Sequence, residues 1–214
     1  MDEYKTIQNG YVVRKDDTRI QTNFSELSRC TPGQIHSVLN ERAGITKPYA
    51  SPGMDFGTSR HDEWRDEALE TGRSAAVFKA PPLGFDIKAE AVEQEFASEV
   101  LPGVVLHSRI DLYGDAIAAD YKTTTMNVKK AHTLYNASIQ LKVYAYQLMI
   151  HDMSVQKLVY LLEHWNYEHT KVLGYSKVEK DYIPRYVSEA QSWIKRRALV
   201  LKKGIQIAKE DGIL

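Results

Sequence analysis

The feature that most constrains the fold is a change of periodicity near residue 87. Residues 87–96 alternate between two faces, and strand-like segments follow at 104–112 and 117–122. Such alternation is typical of β-strands, whose successive side chains point to opposite faces of a sheet. The intervening Leu-Pro-Gly at 101–103 and Gly-Asp at 114–115 are turn sequences. The sequence therefore predicts a meander of three antiparallel strands.

Segments with helical spacing surround this meander, and further β-rich segments follow it. Helices are predicted at 24–42 (broken at 31–33), 54–70, 127–150 and 182–209. Strands are predicted at 155–162 and 168–176, and a hairpin at 4–14 has Asn9-Gly10 as its turn. This order indicates an α/β fold with a central mixed sheet flanked by helices, an N-terminal helical region and a long C-terminal helix. We expect a single domain over residues 1–214, with its core at about 25–165 and a helical arm at about 180–209.

Composition excludes several classes of protein. The chain has 214 residues, a formal net charge of +0 and one cysteine, Cys30, which rules out an intrachain disulfide and an all-cysteine iron–sulphur site. No apolar run approaches the ~20 residues that cross a bilayer. The polar start Met-Asp-Glu-Tyr-Lys is unlike a secretory signal, so we expect a cytoplasmic protein without a membrane partner. With no net charge, any binding to nucleic acid depends on a local basic patch.

Two carboxylates and one ammonium group fall on the two strands that the turn at 114–115 joins. Asp120 and Lys122 share a face of their strand, and the hairpin brings Asp111 toward them. Carboxylate oxygens suit Mg²⁺ or Mn²⁺, and such an ion activates water for phosphodiester hydrolysis. Lys122 would orient that water or stabilise the transition state. The alternative is a solvated pair at a sheet edge, although the apolar residues 117–119 favour a buried strand, where charges need a partner or a function.

A third acid is expected from the preceding strand. Glu95 is the favoured residue, and strict alternation would put it on the same face as Glu93. Glu93 or Glu99 are the other candidates for this role. The alternative interpretation of all three is a charged face of the strand that simply points into solvent.

Five short motifs resemble those of RecB-like nucleases in the PD-(D/E)xK superfamily, and they occur in the family's order. They are Ser25-Glu-Leu-Ser-Arg-Cys-Thr-Pro32, Gly57-Thr-Ser-Arg-His61, Arg109-Ile-Asp111, Asp120-Tyr-Lys122 and Gln140-Leu-Lys-Val-Tyr144. The resemblance spans residues 25 to 150 and implies a restriction-endonuclease-like fold. CRISPR-associated and AddB-type relatives carry further cysteines for an iron–sulphur cluster, which this chain lacks. The chain is therefore more similar to cluster-free members such as phage exonucleases.

The resemblance implies a role for each matching residue. Asp111, Asp120 and the backbone carbonyl of Tyr121 would bind the metal, with Glu95 as the additional acid. His61 would lie near the metal or the scissile phosphate, and Lys122 would be catalytic. Taken alone, a histidine at position 61 would more often be a surface or capping residue.

Gln140 and Tyr144 would position the catalytic site or the DNA, according to the same resemblance. Their i, i+4 spacing puts both side chains on one face of a helix. Without the other motifs, this pair would be interpreted as the polar boundary of an ordinary amphipathic helix.

Basic residues that would contact DNA phosphates cluster in two places. They are Lys129 and Lys130, shortly after the Asp-x-Lys strand, and Lys195, Arg196 and Arg197 on the terminal helix. Phosphate contacts of this kind supply affinity without sequence information. The alternative is that these side chains are only solvated residues on exposed helix faces.

The motifs together predict a Mg²⁺- or Mn²⁺-dependent DNA exonuclease that acts on linear ends in recombination, replication or repair. A structure-specific endonuclease on the same fold and a catalytically inactive nucleic-acid-binding module are the alternatives. A net charge of zero also fits recruitment by a recombination or replication partner protein. A phage-encoded enzyme of this kind would work in the host cytoplasm.

Overall fold

The computed structural model describes residues 3–7, 11–47 and 51–214. The helices are α1 (Phe24–Arg29), α2 (Ile35–Arg42), α3 (Pro52–Thr71), α4 (Ala76–Lys79), α5 (Val128–Ala137), α6 (Gln140–Ile150) and α7 (Arg185–Glu210). The strands are β1 (Tyr4–Thr6), β2 (Val12–Arg14), β3 (Ile20–Asn23), β4 (Ala91–Leu101), β5 (Val104–Gly114), β6 (Ile117–Thr124), β7 (Lys157–Trp165) and β8 (Val172–Asp181). β1 and β2 pair antiparallel, as the hairpin prediction requires. The predicted turn at Asn9-Gly10 lies outside the described residues.

The remaining strands form one mixed sheet. Its order is β3-β5-β6-β7-β8, with β4 also paired to β5. β5 and β6 are antiparallel, as are β7 and β8, whereas β3 runs parallel to β5 and β6 runs parallel to β7. This arrangement confirms the predicted α/β fold with a central mixed sheet, flanking helices and a long C-terminal helix. The sequence pattern did not indicate β3, because its four residues are recognisable as a strand only through their pairing with residues 104–107.

Two compact units make up the chain. The first comprises Met1–Tyr49, Glu95–Ser108 and Ser188–Leu214, and the second comprises Ala50–Gln94 and Arg109–Val187. The cluster of side chains that forms the candidate active site belongs entirely to the second unit.

Helix α3, in the second unit, carries its own start and stop signals. The Ser51 side chain caps its first turn, Pro52 stands at its first position, and Gly72 ends it in the left-handed region at φ 63°. The inner face of α3 buries Trp64 in a core that also holds the ring of Tyr121. This packing fixes the helix against the strand that carries the Asp-x-Lys motif.

The predicted helix at 127–150 is divided in two at Ser138. The backbone of this residue is extended, with φ −64° and ψ 139°, so a helix cannot continue through it. The Ser138 hydroxyl accepts the Gln140 N–H at 3.2 Å and the Tyr160 hydroxyl proton at 2.9 Å. Hydroxyl side chains that bond locally in this way stabilise non-helical backbone. The break makes Gln140 the first residue of α6.

Helix α7 is amphipathic along most of its length. Its buried residues recur every three or four positions and are Ala190, Ile194, Ala198, Leu201, Ile205 and Ala208. Basic residues occupy part of the opposite face, so the helix is too polar for a bilayer. Within the described ranges, no helix is both long and apolar enough to cross a membrane.

Candidate active site

Strand β6 places Asp120 and Lys122 on one face of the sheet and buries Tyr121 on the other. The Asp120 side chain is fully buried, and its Oδ2 lies 2.5 Å from the Lys122 Nζ. The Tyr121 ring stacks on Phe78 with centroids 5.3 Å apart. The alternation predicted from the sequence therefore holds in this strand, and the pair is not a solvated edge.

Helix α6 brings Gln140 and Tyr144 onto the same carboxylate. The Tyr144 hydroxyl donates to Asp120 Oδ1 at 2.6 Å, and Gln140 Nε2 donates to that oxygen at 3.0 Å. Gln140 Nε2 also lies 2.9 Å from the Tyr144 hydroxyl. Because Lys122 faces the other oxygen, the Asp120 carboxylate is fixed at both ends. Partners of this kind orient metal ligands in proteins.

A second group of side chains surrounds Asp111 of β5. Its Oδ2 lies 2.7 Å from His61 Nε2 and accepts the Tyr121 N–H at 2.7 Å. The other ring nitrogen of His61 lies 3.5 Å from Glu93 Oε1. One ligand atom from each of His61, Glu93 and Asp111 can be chosen so that all three lie within 4.8 Å of one another. Three candidate ligands from a helix and two strands thus meet at one point.

Glu93, and not the favoured Glu95, is the glutamate in this cluster. Glu93 has a left-handed backbone at φ 54°, which is uncommon for a residue with a side chain. Such a residue interrupts the alternation of a strand, so the faces of β4 cannot be extrapolated through it. Glu95 is exposed, and Glu99 pairs with Arg19 at 3.3 Å in the first unit.

Gly57 explains how His61 reaches Asp111. A Cβ atom at position 57 would lie only 3.1 Å from the Thr123 Oγ1 on β6. The absent side chain lets α3 approach the strand closely, and His61 follows about one turn later on the same side of the helix. The Gly-x-x-x-His spacing therefore has a packing reason in this chain.

An ion pair that the sequence analysis did not assign fixes α3 next to His61. Arg60 donates from Nε and Nη2 to the two carboxylate oxygens of Glu163 at 3.0 and 2.8 Å, and Glu163 is fully buried on β7. The Trp165 indole donates to the same carboxylate at 2.7 Å. Bidentate pairs of this type hold defined geometry. The sequence pattern does not predict this ion pair, because Arg60 and Glu163 are 103 positions apart in the chain.

The charges of the site shift the pKa values of its members. Burial lowers the pKa of His61, but the hydrogen bond and charge of Asp111, helped by Glu93, outweigh it and raise the pKa to about 10. Burial raises the pKa of Asp120 to about 6, against the opposing charge of Lys122. Burial also lowers the pKa of Lys122, yet the two aspartates more than offset this and raise it. In the metal-free protein, His61 and Lys122 therefore both hold a positive charge beside the carboxylates of the site.

The donor set fits a hard divalent cation. Carboxylate oxygens suit hard divalent cations, and an imidazole nitrogen is a common further ligand of divalent metals. Asp120 Oδ2 is buried and forms an ion pair with Lys122. Among the described residues, no hydrogen bond of normal geometry reaches this oxygen. The His61, Glu93 and Asp111 atoms already lie within ligand-sharing distance.

The two predicted basic clusters lie on different units. Lys129 and Lys130 are exposed at the start of α5, where they line a groove of about 520 Å³ together with Met126 and Leu134. The sequence of α5 contains no acidic residue. On α7, Lys195 and Arg196 are exposed, and the half-buried Arg197 lies 5.6 Å from the Trp193 ring centre.

No protein-family profile and no curated protein sequence matches the chain. Its structure is similar to that of an alkaline exonuclease from Laribacter hongkongensis, with 13% identity and a TM-score of 0.51, covering 89% of this chain and 92% of that one. The same enzyme in complex with dAMP matches at 11% identity and a TM-score of 0.51, covering 92% and 94%. A phage-related exonuclease from Haemophilus somnus matches at 10% identity and a TM-score of 0.54, covering 90% and 96%. The chain thus has the fold of these alkaline and phage-related exonucleases.

Proposed function

We propose that this protein is a Mg²⁺- or Mn²⁺-dependent exonuclease that hydrolyses phosphodiester bonds at DNA ends. The observation that carries the proposal is the meeting of residues from separate motifs. His61, Asp111, Asp120 and Lys122 come together in the second unit, with Gln140 and Tyr144 bonded to Asp120. This constellation stands on a fold shared with exonucleases. Fold alone does not fix function, so the chemistry of the site is the main support.

The metal would be held by Asp111 and Asp120, with the Tyr121 carbonyl, His61 and Glu93 as further ligands. When bound, Mg²⁺ or Mn²⁺ polarises the scissile phosphate and lowers the pKa of a coordinated water. The hydrogen bonds to Asp120 hold its oxygens in place, which reduces the reorganisation needed to bind a cation.

Lys122 would supply positive charge to the reacting phosphate. Its side chain is 29% exposed, and the charges of Asp120 and Asp111 keep its ammonium group protonated. A preorganised cation stabilises the extra negative charge of the transition state or positions the attacking water. The ammonium lies 2.5 Å from Oδ2 of Asp120, a proposed metal ligand, so it would be near a phosphate bound to that metal.

DNA would reach the site along surfaces that carry lysine and arginine. We assign Lys129 and Lys130 to contacts with backbone phosphates, because both are exposed on a helix without acidic residues. The cluster of Lys195, Arg196 and Arg197 is assigned the same role in the first unit. The complex of the Laribacter enzyme with dAMP shows that protein with a deoxynucleotide. We extend the choice of DNA to this chain as part of the proposal, together with a cytoplasmic role in recombination, replication or repair beside a partner protein.

The test is cleavage of end-labelled linear single- and double-stranded DNA beside a closed circle, in Mg²⁺, Mn²⁺ and EDTA. Lys122→Met is the inactive control, and Lys171→Met, an exposed lysine outside the site, is the matched control. Metal-dependent loss of linear DNA with intact circles supports the proposal. Cleavage of the circle would mean that the protein is an endonuclease instead. DNA binding without cleavage in either metal would mean that the protein is a catalytically inactive binding module.

A further inference from the structure

Arg109 is a cation of the candidate site for which neither the motifs nor the comparisons supply a role. It lies on β5 two residues before Asp111, so both side chains point to the same face of the sheet. Its Nη1 lies 3.3 Å from Glu93 Oε2, and its side chain is 33% exposed. The guanidinium therefore borders the ligand cluster and remains open to solvent.

Glu93 connects Arg109 with the rest of the cluster. One of its oxygens faces Arg109 at 3.3 Å, and the other faces His61 Nδ1 at 3.5 Å. The left-handed backbone of Glu93 is strained for a residue with a side chain, and such conformations persist where the surroundings fix them. Arg65, whose charge also acts on Glu93, is engaged by Asp62 and Asp66 at 2.6 and 2.8 Å. Arg109 is thus the arginine in direct contact with this acid.

We propose that Arg109 exchanges partners during substrate binding: it pairs with Glu93 in the metal-free protein and contacts a DNA phosphate when Glu93 turns to the metal. The inference rests on the proposed function and names a substrate-binding residue within it. A carboxylate that gives its oxygens to a divalent cation loses much of its attraction for a neighbouring arginine. A guanidinium whose ion pair with Glu93 is weakened in this way matches the geometry of a phosphate, which it can bind through two N–H groups.

The exchange predicts opposite effects on two ligands. In the DNA-free protein, Arg109 competes with the metal for Glu93 and repels it by charge, so removing the guanidinium should tighten metal binding. In the complex, the same removal deletes a phosphate contact, so DNA binding should weaken. A residue that merely supports the local structure would weaken the binding of both ligands when it is replaced.

The experiment compares wild type with Arg109→Gln and Arg109→Lys. Mn²⁺ affinity is measured by calorimetry without DNA, and affinity for a 5′-labelled oligonucleotide is measured by anisotropy in Ca²⁺ over a range of salt concentrations. Arg73→Gln is the matched control, because Arg73 pairs with Asp86 on the surface of the same unit. Arg109→Lys keeps the charge, so its metal affinity should stay near that of wild type while its DNA affinity falls less than in Arg109→Gln.

For Arg109→Gln we expect Mn²⁺ to bind on the order of threefold more tightly. DNA should bind about tenfold more weakly, with the slope of log K against log salt reduced by about 0.7–0.9. Weaker binding of both ligands, or unchanged binding of either, would overturn the exchange. If wild type binds neither Mn²⁺ nor DNA, the proposed function itself fails, which separates the two conclusions.

Discussion

His61 Nε2 lies 2.7 Å from Asp111 Oδ2, which joins a helix to a strand across 50 positions of sequence. The same carboxylate oxygen accepts the backbone N–H of Tyr121 at 2.7 Å. Asp111 is therefore held by α3 and β6 at once, and its position depends on how closely these elements pack. This relationship makes the ligand cluster sensitive to changes in packing as well as to the loss of a ligand.

Replacing Lys122 should remove cleavage while leaving the fold intact. In Lys122→Met the aliphatic stem remains, but the charge that would stabilise the transition state is lost, so we expect cleavage to fall by about 10²-fold or more. The loss also leaves the buried Asp120 without its counter-ion, which should raise the pKa of that carboxyl further. Circular dichroism checks that the fold is intact, and single-turnover cleavage on the same sample measures the loss of activity. A variant that loses helix content in proportion to its activity would contradict a catalytic role.

The sequence predicted much of this site because its information is local there. Alternation in β6 placed Asp120 and Lys122 together, and the i, i+4 spacing placed Gln140 and Tyr144 on one face of α6. Both expectations agree with the contacts that the structure shows. These patterns work because regular strands and helices repeat with fixed periods.

The sequence failed where periodicity is broken or where partners are distant. Strict alternation put Glu93 and Glu95 on the same face and could not choose between them, whereas the positive φ of Glu93 interrupts the alternation and Glu93 is the glutamate beside His61 and Asp111. Arg60 and Glu163 are 103 positions apart in the sequence, so no local pattern predicts that they form a pair. Ser138 ends a helix through its own hydrogen bonds, which the apolar pattern of 127–150 does not reveal.

The stability of the metal-free protein should depend on pH through His61. Its pKa is raised from an ordinary 6.5 to about 10, so the folded state keeps a proton that the unfolded state releases. The stabilisation is complete below pH 6.5 and is lost as pH rises toward 10. Between these limits wild type should lose on the order of 1 kcal/mol of unfolding free energy per pH unit relative to His61→Gln.

Urea unfolding of both proteins in EDTA at pH 7 and pH 9 measures this difference, since titrating groups far from position 61 contribute equally to each. Parallel losses of stability in wild type and variant would show that His61 carries no raised pKa.

A methyl group at position 57 should disturb the site without touching a ligand. Alanine in a helix interior usually stabilises by about 0.5–1 kcal/mol relative to glycine. In Gly57→Ala, however, the new Cβ would meet the Thr123 Oγ1 at 3.1 Å, so α3 or the threonine must shift. Because small misplacements of catalytic groups are costly, we expect kcat/KM to fall about tenfold.

The Thr123→Ala change should restore activity in the double variant, since it removes the contacting oxygen. The kcat/KM of Thr123→Ala alone serves as the reference for the double variant. A single Gly57→Ala variant with full activity, or a double variant without recovery, would contradict the packing explanation of the Gly-x-x-x-His spacing.

Neutralising Lys129 and Lys130 should weaken DNA binding to all sequences alike. Each lost phosphate contact should reduce the salt slope of binding by about 0.9 on duplex DNA. Fluorescence anisotropy of Lys129→Gln, Lys130→Gln and the double variant, with Lys171→Gln as control, measures the slopes. The same assay applied to Lys195, Arg196 and Arg197 shows whether the cluster on α7 also contacts DNA. Slopes equal to wild type would mean that the altered side chains are only solvated.

The most direct test of the account is to locate the metal. Crystals of the protein soaked in Mn²⁺, and parallel crystals of Asp120→Asn, would be compared in anomalous difference maps. The account predicts a peak in wild type within bonding distance of Asp111 and Asp120, with His61 or Glu93 beside it, and a weaker peak or none in the variant. A wild-type peak elsewhere, or Mn²⁺ bound equally by the variant at this position, would contradict the proposed metal centre.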